Sequence, residues 1–210
     1  DDVESRGLGD VYKRQMQACM TDNDVVVVDR NCHKSIEQGL MLTGAKPVYM
    51  VPSRNRYGII GPIYPQEMQP ETLQKKISES PLTKDKAGQK PSYCVVTNCT
   101  YDGVCYNAKE AQDLLEKTSD RLHFDEAWYG YARFNPIYAD HYAMRGEPGD
   151  HNGPTVFATH STHKLLNALS QASYIHVREG RGAINFSRFN QAYMMLSLIH
   201  ISEPTRLDVI

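Results

Sequence analysis

The 210-residue sequence lacks a long hydrophobic run and lacks an excess of either charge. Its longest wholly aliphatic stretch is Val25 to Val28, whereas a membrane-spanning helix needs about 20 apolar residues. Lys and Arg total 23 against 25 Asp and Glu, which gives a net charge of −2. A basic surface for nucleic acid or anionic lipid is therefore not expected. We predict neither a membrane nor a nucleic-acid partner.

Closely spaced cysteine pairs are also missing. The 5 cysteines are an odd number, and no two have the C-x-x-C spacing of zinc or thiol-redox sites. Residues 1–6 carry no apolar segment typical of a secretory signal. Reduced thiols are typical of the cytoplasm, so we predict a cytoplasmic protein without a disulfide framework.

Apolar runs alternate with stretches of helical periodicity. Hydrophobic residues make up 40% of the chain, enough for one core. Six strands are predicted, at residues 25–28, 46–51, 92–98, 121–124, 155–159 and 173–178. Helices are predicted at residues 32–43, 70–79 and 107–117 and from about residue 187. This alternation favours an α/β fold with a mostly parallel sheet flanked by helices.

Three polar residues follow predicted strands: Asp29, Asp125 and Lys164. Ligands of parallel sheets bind beyond the carboxyl ends of the strands, so we expect these residues to share one site. A partly buried lysine loses basicity, as covalent catalysis by a lysine amine requires. A strand-end carboxylate suits a heteroaromatic cation. The alternatives are a solvated lysine at a helix start and an aspartate that caps a turn.

Two further positions have a functional and a structural interpretation. His33 follows the first strand, where its ring can stack on a flat cofactor or begin a helix. Ser161 and Thr162 precede the lysine, where their hydroxyl groups can bind a phosphate or cap the next turn. The local sequence leaves both alternatives open.

Three segments resemble one enzyme family. They are DRNCHKS (residues 29–35), HFDEAWYGYARF (123–134) and ATHSTHKLLNALSQASYIHV (158–177), and they are similar to the bacterial Orn/Lys/Arg decarboxylases of fold type I. The resemblance is near-continuous over residues 16–195 and implies a partial large domain of that fold, with pyridoxal 5'-phosphate (PLP) as cofactor. Within the family, the overall similarity favours L-arginine as substrate and agmatine and CO₂ as products. Lysine and ornithine are the alternatives.

The resemblance also implies a role for each matching residue. Lys164 would link covalently to PLP, Asp125 would pair with the pyridinium nitrogen, and His33 would stack on the ring. Four more residues would contact the phosphate, lie beside the cofactor or substrate, or line the pocket near the ring: Ser161, His163, Ala127 and Trp128.

The same resemblance implies the wider setting of the enzyme. Decarboxylation replaces the lost carboxylate by a proton, so each turnover consumes one proton and fits a role in acid resistance. The family forms homodimers and higher homo-oligomers. Its members also carry a Gly-Thr/Ser-rich phosphate-binding turn upstream of the matched region, and this turn is absent here. We therefore expect the 210 residues alone to be inactive.

The two ends of the chain do not follow the pattern of the rest. Residues 1–15 show no clear periodicity, and residues 196–210 begin a new pattern without a turn before it. The strings DVYKRQ and SLIHISEPTRL resemble translated sequencing-adapter read-through. We expect the native region to span residues 16–195, with a non-native leader and tail. DNA sequencing across both junctions tests this expectation.

Three other functions are compatible with parts of the sequence. His123-x-Asp125 and His160-x-x-His163 offer metal ligands, but neither has a recognised spacing, so no metal site is predicted. An aminotransferase would share Lys164 and Asp125. A non-enzymatic α/β module would leave both residues without a chemical role.

Overall fold

The computed structural model describes residues 8–147, 151–167 and 172–195. The helices are α1 (Leu8–Cys19), α2 (Lys34–Thr43), α3 (Pro70–Glu79), α4 (Ala108–Leu115), α5 (Thr162–Leu165) and α6 (Phe186–Met195). The strands are β1 (Val25–Asp29), β2 (Lys46–Met50), β3 (Tyr93–Thr97), β4 (Arg121–Asp125), β5 (Thr155–His160) and β6 (Tyr174–Arg178). No helix within these ranges has the length and apolar character needed to cross a membrane.

The six strands form one sheet in the order β2-β1-β3-β4-β5-β6. The first five are parallel, and β6 runs antiparallel to β5 at the edge. The predicted α/β fold with a mostly parallel sheet flanked by helices is confirmed. Its five parallel strands direct their carboxyl ends to one side of the molecule, where the sequence places Asp125 and Lys164.

The sheet is covered on both faces. Alternate residues of a strand point to opposite faces, so Val26 and Val28 join one apolar cluster with Ile36 of α2, whereas Val27 joins another cluster with Leu115 of α4. Both clusters are buried, and each large side chain removed from water contributes about 1.5–3 kcal/mol. This two-sided burial makes the strand ends a rigid support for a site.

The predicted helix boundaries are close to those observed. The second helix begins at Lys34 rather than at residue 32, because His33 is its N-cap and accepts a hydrogen bond from the backbone of Ser35. It ends at Thr43 and is capped by Gly44, which has φ 72°, a left-handed conformation that glycine adopts without steric cost.

Helix α1 was not predicted. It spans residues 8–19, across the expected junction between residues 15 and 16, and its Tyr12 and Met16 are fully buried. The leader expected at residues 1–15 concealed it, because that boundary divides the apolar face formed by Tyr12, Met16 and Cys19. The expected leader at residues 1–7 and the expected tail at 196–210 lie outside the described residues.

Candidate active site

A small cavity lies at the carboxyl ends of the central strands. Its volume is about 80 Å³, and it is bordered by segments that follow β1, β3, β4 and β5. Five residues assigned from the sequence line it: His33, Asp125, Ala127, Trp128 and Lys164. Residues that are more than 130 positions apart in the chain therefore meet at one place, as expected for the strand ends of a parallel sheet.

Asp125 is the buried acid of the cavity. It ends β4, and its Oδ1 accepts hydrogen bonds from the backbone N–H of Ala127 at 3.2 Å and from the hydroxyl of Tyr12. Burial raises the pKa of Asp125, although these hydrogen bonds and the charges of His33 and Lys164 act in the opposite direction. A cation in the cavity would stabilise the charged carboxylate.

Lys164 faces the same cavity from α5. Its side chain is half-buried, and its Nζ lies 4.4 Å from the centroid of the Trp128 ring. Burial lowers the pKa of Lys164, and the attraction of Asp125 opposes this change. This direction agrees with the loss of basicity expected from the sequence. A lowered pKa increases the fraction of neutral amine, the form that attacks a carbonyl carbon.

His33 caps the start of helix α2 and also borders the cavity. As the N-cap of α2, its Nδ1 accepts from the backbone N–H of Ser35 at 3.2 Å, which places any proton of the neutral ring on Nε2. The ring also borders the cavity and makes an edge contact with Tyr12, with 6.1 Å between centroids. Burial lowers the pKa of His33, so a neutral, flat ring is available for stacking.

Three residues expected at the site do not line the cavity: Ser161, His163 and Asp29. Ser161 is buried with its Oγ 3.2 Å from Nδ1 of His163, whose Nδ1 also lies 3.0 Å from the carbonyl oxygen of Ala172. Asp29 was expected to share the site. Instead, its carboxylate accepts from the backbone N–H groups of Asn31 at 2.7 Å and Thr97 at 3.2 Å, because the side chain turns toward β3.

Several residues of the site were not singled out from the sequence. Tyr12 is the most consequential, since it contacts both Asp125 and His33. The others come mainly from the segments after β1 and β3: Asn31, Cys32, Thr97, Cys99, Thr100 and Tyr101. Their position directly after two predicted strands was the available signal for them.

Glu126 was also overlooked, although it is fully buried next to Asp125. Its Oε1 accepts from Asn98 Nδ2 at 2.8 Å and from the backbone N–H of Ala143 at 2.7 Å, and its Oε2 lies 3.0 Å from His160 Nε2. Both carboxylate oxygens are therefore occupied. Glu126 joins the segments after β3, β4 and β5 and does not line the cavity.

The metal-site alternative has no support in the described part of the chain, which contains no group of three or more His, Cys, Asp or Glu side chains able to hold a metal ion. The side chain of His123 is buried, with Nε2 3.0 Å from Thr159 Oγ1. His160 pairs with Glu126. Each of these histidines therefore has a structural partner.

The donor set of the cavity fits the ring of PLP. A buried carboxylate, a neutral histidine ring and a lysine of lowered pKa converge, and Trp128 supplies an aromatic wall. These groups match a ligand with a cationic, flat ring and an aldehyde in charge and reactivity. The volume of the cavity is about 80 Å³, which is smaller than the roughly 300–1,000 Å³ of most ligand sites. Tyr12 is one of the residues that border the cavity.

Comparisons with known proteins agree with this chemistry. A family model described as Orn/Lys/Arg decarboxylase, major domain, matches residues 6–201. The chain is 48% identical over 188 residues to the lysine decarboxylase LdcA of Pseudomonas aeruginosa, covering 89% of this chain and 24% of that protein. It is 36% identical over 195 residues to the constitutive ornithine decarboxylase of Escherichia coli K12, covering 90% and 27% respectively.

Solved structures give the same result. Lysine decarboxylase A from Pseudomonas aeruginosa matches with a TM-score of 0.82 and 47% identity, over 90% of this chain and 25% of that one. A PLP-bound putative aminotransferase from Clostridium difficile 630 matches with a TM-score of 0.55 and 10% identity, over 94% and 45%, and shows the fold alone. The chain spans about a quarter of the length of its decarboxylase relatives. It belongs to the Orn/Lys/Arg decarboxylase family, whose cofactor is PLP.

Proposed function

We propose that this chain is part of a PLP-dependent decarboxylase of a basic amino acid, in which Lys164 is the lysine linked to the cofactor. The observation that carries the proposal is the convergence of Lys164, Asp125 and His33 on one cavity. The conversion of the substrate to an amine and CO₂ belongs to the complete enzyme, because the chain spans about a quarter of its relatives.

When bound, PLP accepts the electron pair left behind as CO₂ departs from the amino acid. The buried carboxylate of Asp125 would hold a proton on the ring nitrogen by stabilising its positive charge. The neutral ring of His33 would pack on the cofactor face. The amine of Lys164 would anchor the cofactor and exchange with the amine of the substrate. We further propose that Ser161 contacts the phosphate and that His163 lies beside the cofactor in the complete enzyme, although neither residue lines the present cavity.

Lysine is the substrate that the relatives favour. The names of the relatives compared above refer to lysine and ornithine, so they do not support the arginine preference expected from overall similarity. Among the described residues that line the cavity, Asp125 is the single carboxylate. The group that recognises the distal cation of the substrate therefore lies elsewhere in the complete enzyme, and lysine, ornithine and arginine all belong in the assay.

Assembly and location are part of the same proposal. Large apolar side chains are exposed near the cavity side of the sheet, including Phe134 at 76% and Tyr174 at 60%. Exposed apolar surface of this kind is typical of interfaces, which agrees with a homo-oligomeric parent enzyme. All five cysteines are free thiols, as expected in the cytoplasm. Proton uptake during turnover would serve acid resistance.

The test is a product assay on the complete enzyme. CO₂ release and amine formation are measured with lysine, ornithine and arginine, with proton uptake followed in weak buffer. We expect the largest kcat/KM with lysine and one proton consumed per CO₂. Formation of a keto acid in place of CO₂ would identify an aminotransferase instead.

The lysine variants complete this test. Lys164→Ala is expected to abolish turnover because the covalent anchor is lost. Lys34→Ala is the matched control, since Lys34 is exposed and adjacent to His33, and it should retain activity. Undiminished CO₂ release by Lys164→Ala would contradict the proposal.

A further inference from the structure

A tight turn after β3 holds two cysteines side by side. The backbone N–H of Thr100 donates to the carbonyl oxygen of Val104 at 2.9 Å, and the N–H of Gly103 donates to the carbonyl oxygen of Thr100 at 3.0 Å. Gly103 has φ 80°, the left-handed conformation typical of the last residue in a three-residue hairpin loop. Cys99 and Cys105 come next on the two arms of the turn and therefore lie opposite each other.

A second link joins the two arms beyond the cysteines. The backbone N–H of Tyr106 donates to Oδ1 of Asn98 at 3.0 Å. In an antiparallel pair, facing residues without mutual hydrogen bonds have Cα atoms about 4.5 Å apart, a separation that a disulfide can span. Burial raises the pKa of the Cys99 thiol to about 12, and a side-chain hydrogen bond with Cys105 adds to the increase. The two thiols are therefore in contact.

We propose that Cys99 and Cys105 are a thiol modification site, which a low-molecular-weight disulfide such as oxidised glutathione converts to an intramolecular disulfide. Both cysteines lie within residues 16–195, the region expected to be native. Cys105 is exposed and can meet the small disulfide, whereas Cys99 lines the cavity, so oxidation of the pair alters a wall of the candidate site. The inference goes beyond the proposed function and does not depend on it, because none of its steps involves PLP.

The different exposure of the two thiols sets the order of the reaction. The Cys105 thiolate attacks one sulfur of the small disulfide, whose S–S bond breaks, and the released thiolate takes up a proton. The Cys99 thiol then loses its proton to water, and its sulfur attacks the Cys105 sulfur of the mixed disulfide and expels the second small thiol. One protein disulfide forms as one small disulfide is reduced to two thiols. Burial disfavours the thiolate of Cys99, so Cys99 reacts second rather than first.

A pairing caused only by closeness in the sequence makes a different prediction. Cys99 and Cys105 are separated by five residues, and a loop this short also closes readily in an unfolded chain. The fold adds two constraints. Cys99 has φ 69°, a left-handed conformation that non-glycine residues adopt where the surrounding structure imposes it, and the backbone N–H of Asn98 donates to the carbonyl oxygen of Asp125 at 2.8 Å. The disulfide should therefore be more stable in the folded chain than in the unfolded one.

The experiment incubates the 210-residue chain with oxidised glutathione, alkylates the remaining thiols and maps the disulfides by peptide mass spectrometry. We expect a link between Cys99 and Cys105 in wild type and in the control Cys32→Ser, which removes the other cysteine that borders the cavity. Cys99→Ser should accumulate the glutathione mixed disulfide on Cys105, because the second thiol is missing. Cys105→Ser should leave Cys99 free of glutathione. Circular dichroism establishes folding, and the wild-type map decides the test if a variant does not fold.

A glutathione redox buffer, applied to wild type with and without urea, measures the contribution of the fold. We expect the equilibrium constant for the disulfide between Cys99 and Cys105 to be about 10-fold larger, or more, in the folded chain, because the fold already holds the thiols together. An equal or smaller constant in the folded chain would overturn the proposal. The absence of a disulfide, a link between Cys32 and Cys99 or a link between two chains would overturn it as well. None of these outcomes involves PLP, so the proposed function is tested separately by its own assays.

Discussion

Asp125 and Glu126 are adjacent, buried carboxylates with different surroundings. Glu126 uses both oxygens, which contact Asn98, Ala143 and His160. Asp125 receives both of its recorded hydrogen bonds, from Tyr12 and Ala127, on Oδ1 alone. The first carboxylate joins three segments of the fold, whereas the second faces a cavity that also contains a lysine.

This difference shows that burial by itself does not identify a functional acid. Burying an ionised group is unfavourable unless partners compensate it. For Glu126 the compensating groups belong to the fold. For Asp125 burial still raises the pKa after its partners have acted. A cationic ligand would therefore stabilise the ionised carboxylate further. Substitutions at the two positions should therefore affect different properties.

The largest expected effect is on the rate of the complete enzyme. Asp125→Asn keeps the shape of the side chain and removes its charge, so kcat should fall by about 10³-fold, comparable to losing one preorganised electrostatic contact in other enzymes. Steady-state kinetics measure this loss. Urea unfolding should show little change in stability, since an amide is easier to bury than a charge. A near-native kcat in Asp125→Asn would contradict the role of its charge.

The second effect concerns stability. Glu126→Ala leaves the donors of Asn98, Ala143 and His160 without their buried acceptor, and we expect the free energy of unfolding to fall by about 3–5 kcal/mol. Urea denaturation of the 210-residue chain measures it. Glu116→Ala is the control, because Glu116 makes a surface ion pair with Arg181 at 3.7 Å, worth about 0–1 kcal/mol. An equal fall in the free energy of unfolding in the two variants would show that Glu126 does not stabilise the fold more than a surface residue does.

Asp29 is a further carboxylate at a strand end, and it extends the comparison to the pH dependence of stability. Burial raises the pKa of Asp29 from 3.8 to about 6. Between these values, the carboxyl group is ionised in the unfolded chain and protonated in the folded one. Its contribution to stability is therefore present below about pH 4 and is lost as pH rises to about 6, by about 3 kcal/mol.

The variant Asp29→Asn tests this contribution. It should flatten the fall in unfolding free energy between pH 4 and pH 6 relative to wild type, as measured by urea unfolding at several pH values. Because the amide of the variant has no charge to bury, the stability of the variant relative to wild type should rise between pH 4 and pH 6. An unchanged slope between pH 4 and pH 6 would show that Asp29 does not titrate in this range.

Much of the fold was predictable because its strands are strongly apolar. Val25–Val28 and the run around Val95 and Val96 are buried throughout, as in parallel sheets covered on both faces. The helix after β1 was recognisable from its apolar spacing and from Gly44. Helix α1 was missed although Tyr12, Met16 and Cys19 follow helical spacing and are buried, because residues 1–15 were expected to be a non-native leader.

The site was predictable where motifs and strand ends coincide. Asp125, Lys164 and His33 follow strands and also belong to the family segments, so both arguments lead to them. Tyr12 was missed because nothing in its local sequence shows that it reaches Asp125, 113 positions away. Asp29 also begins a family segment, but the resemblance assigned it no role, and the strand-end rule that placed it in the site does not determine the direction in which a side chain turns.

The central claim is that the cavity at the strand ends binds PLP through Lys164. The most direct measurement is borohydride reduction of the 210-residue chain in excess PLP, followed by peptide mapping. The account predicts a pyridoxyl adduct on Lys164 that decreases in Asp125→Asn, because the ring loses its charged partner. An adduct on Lys34 or another exposed lysine, with Lys164 unmodified, would contradict it.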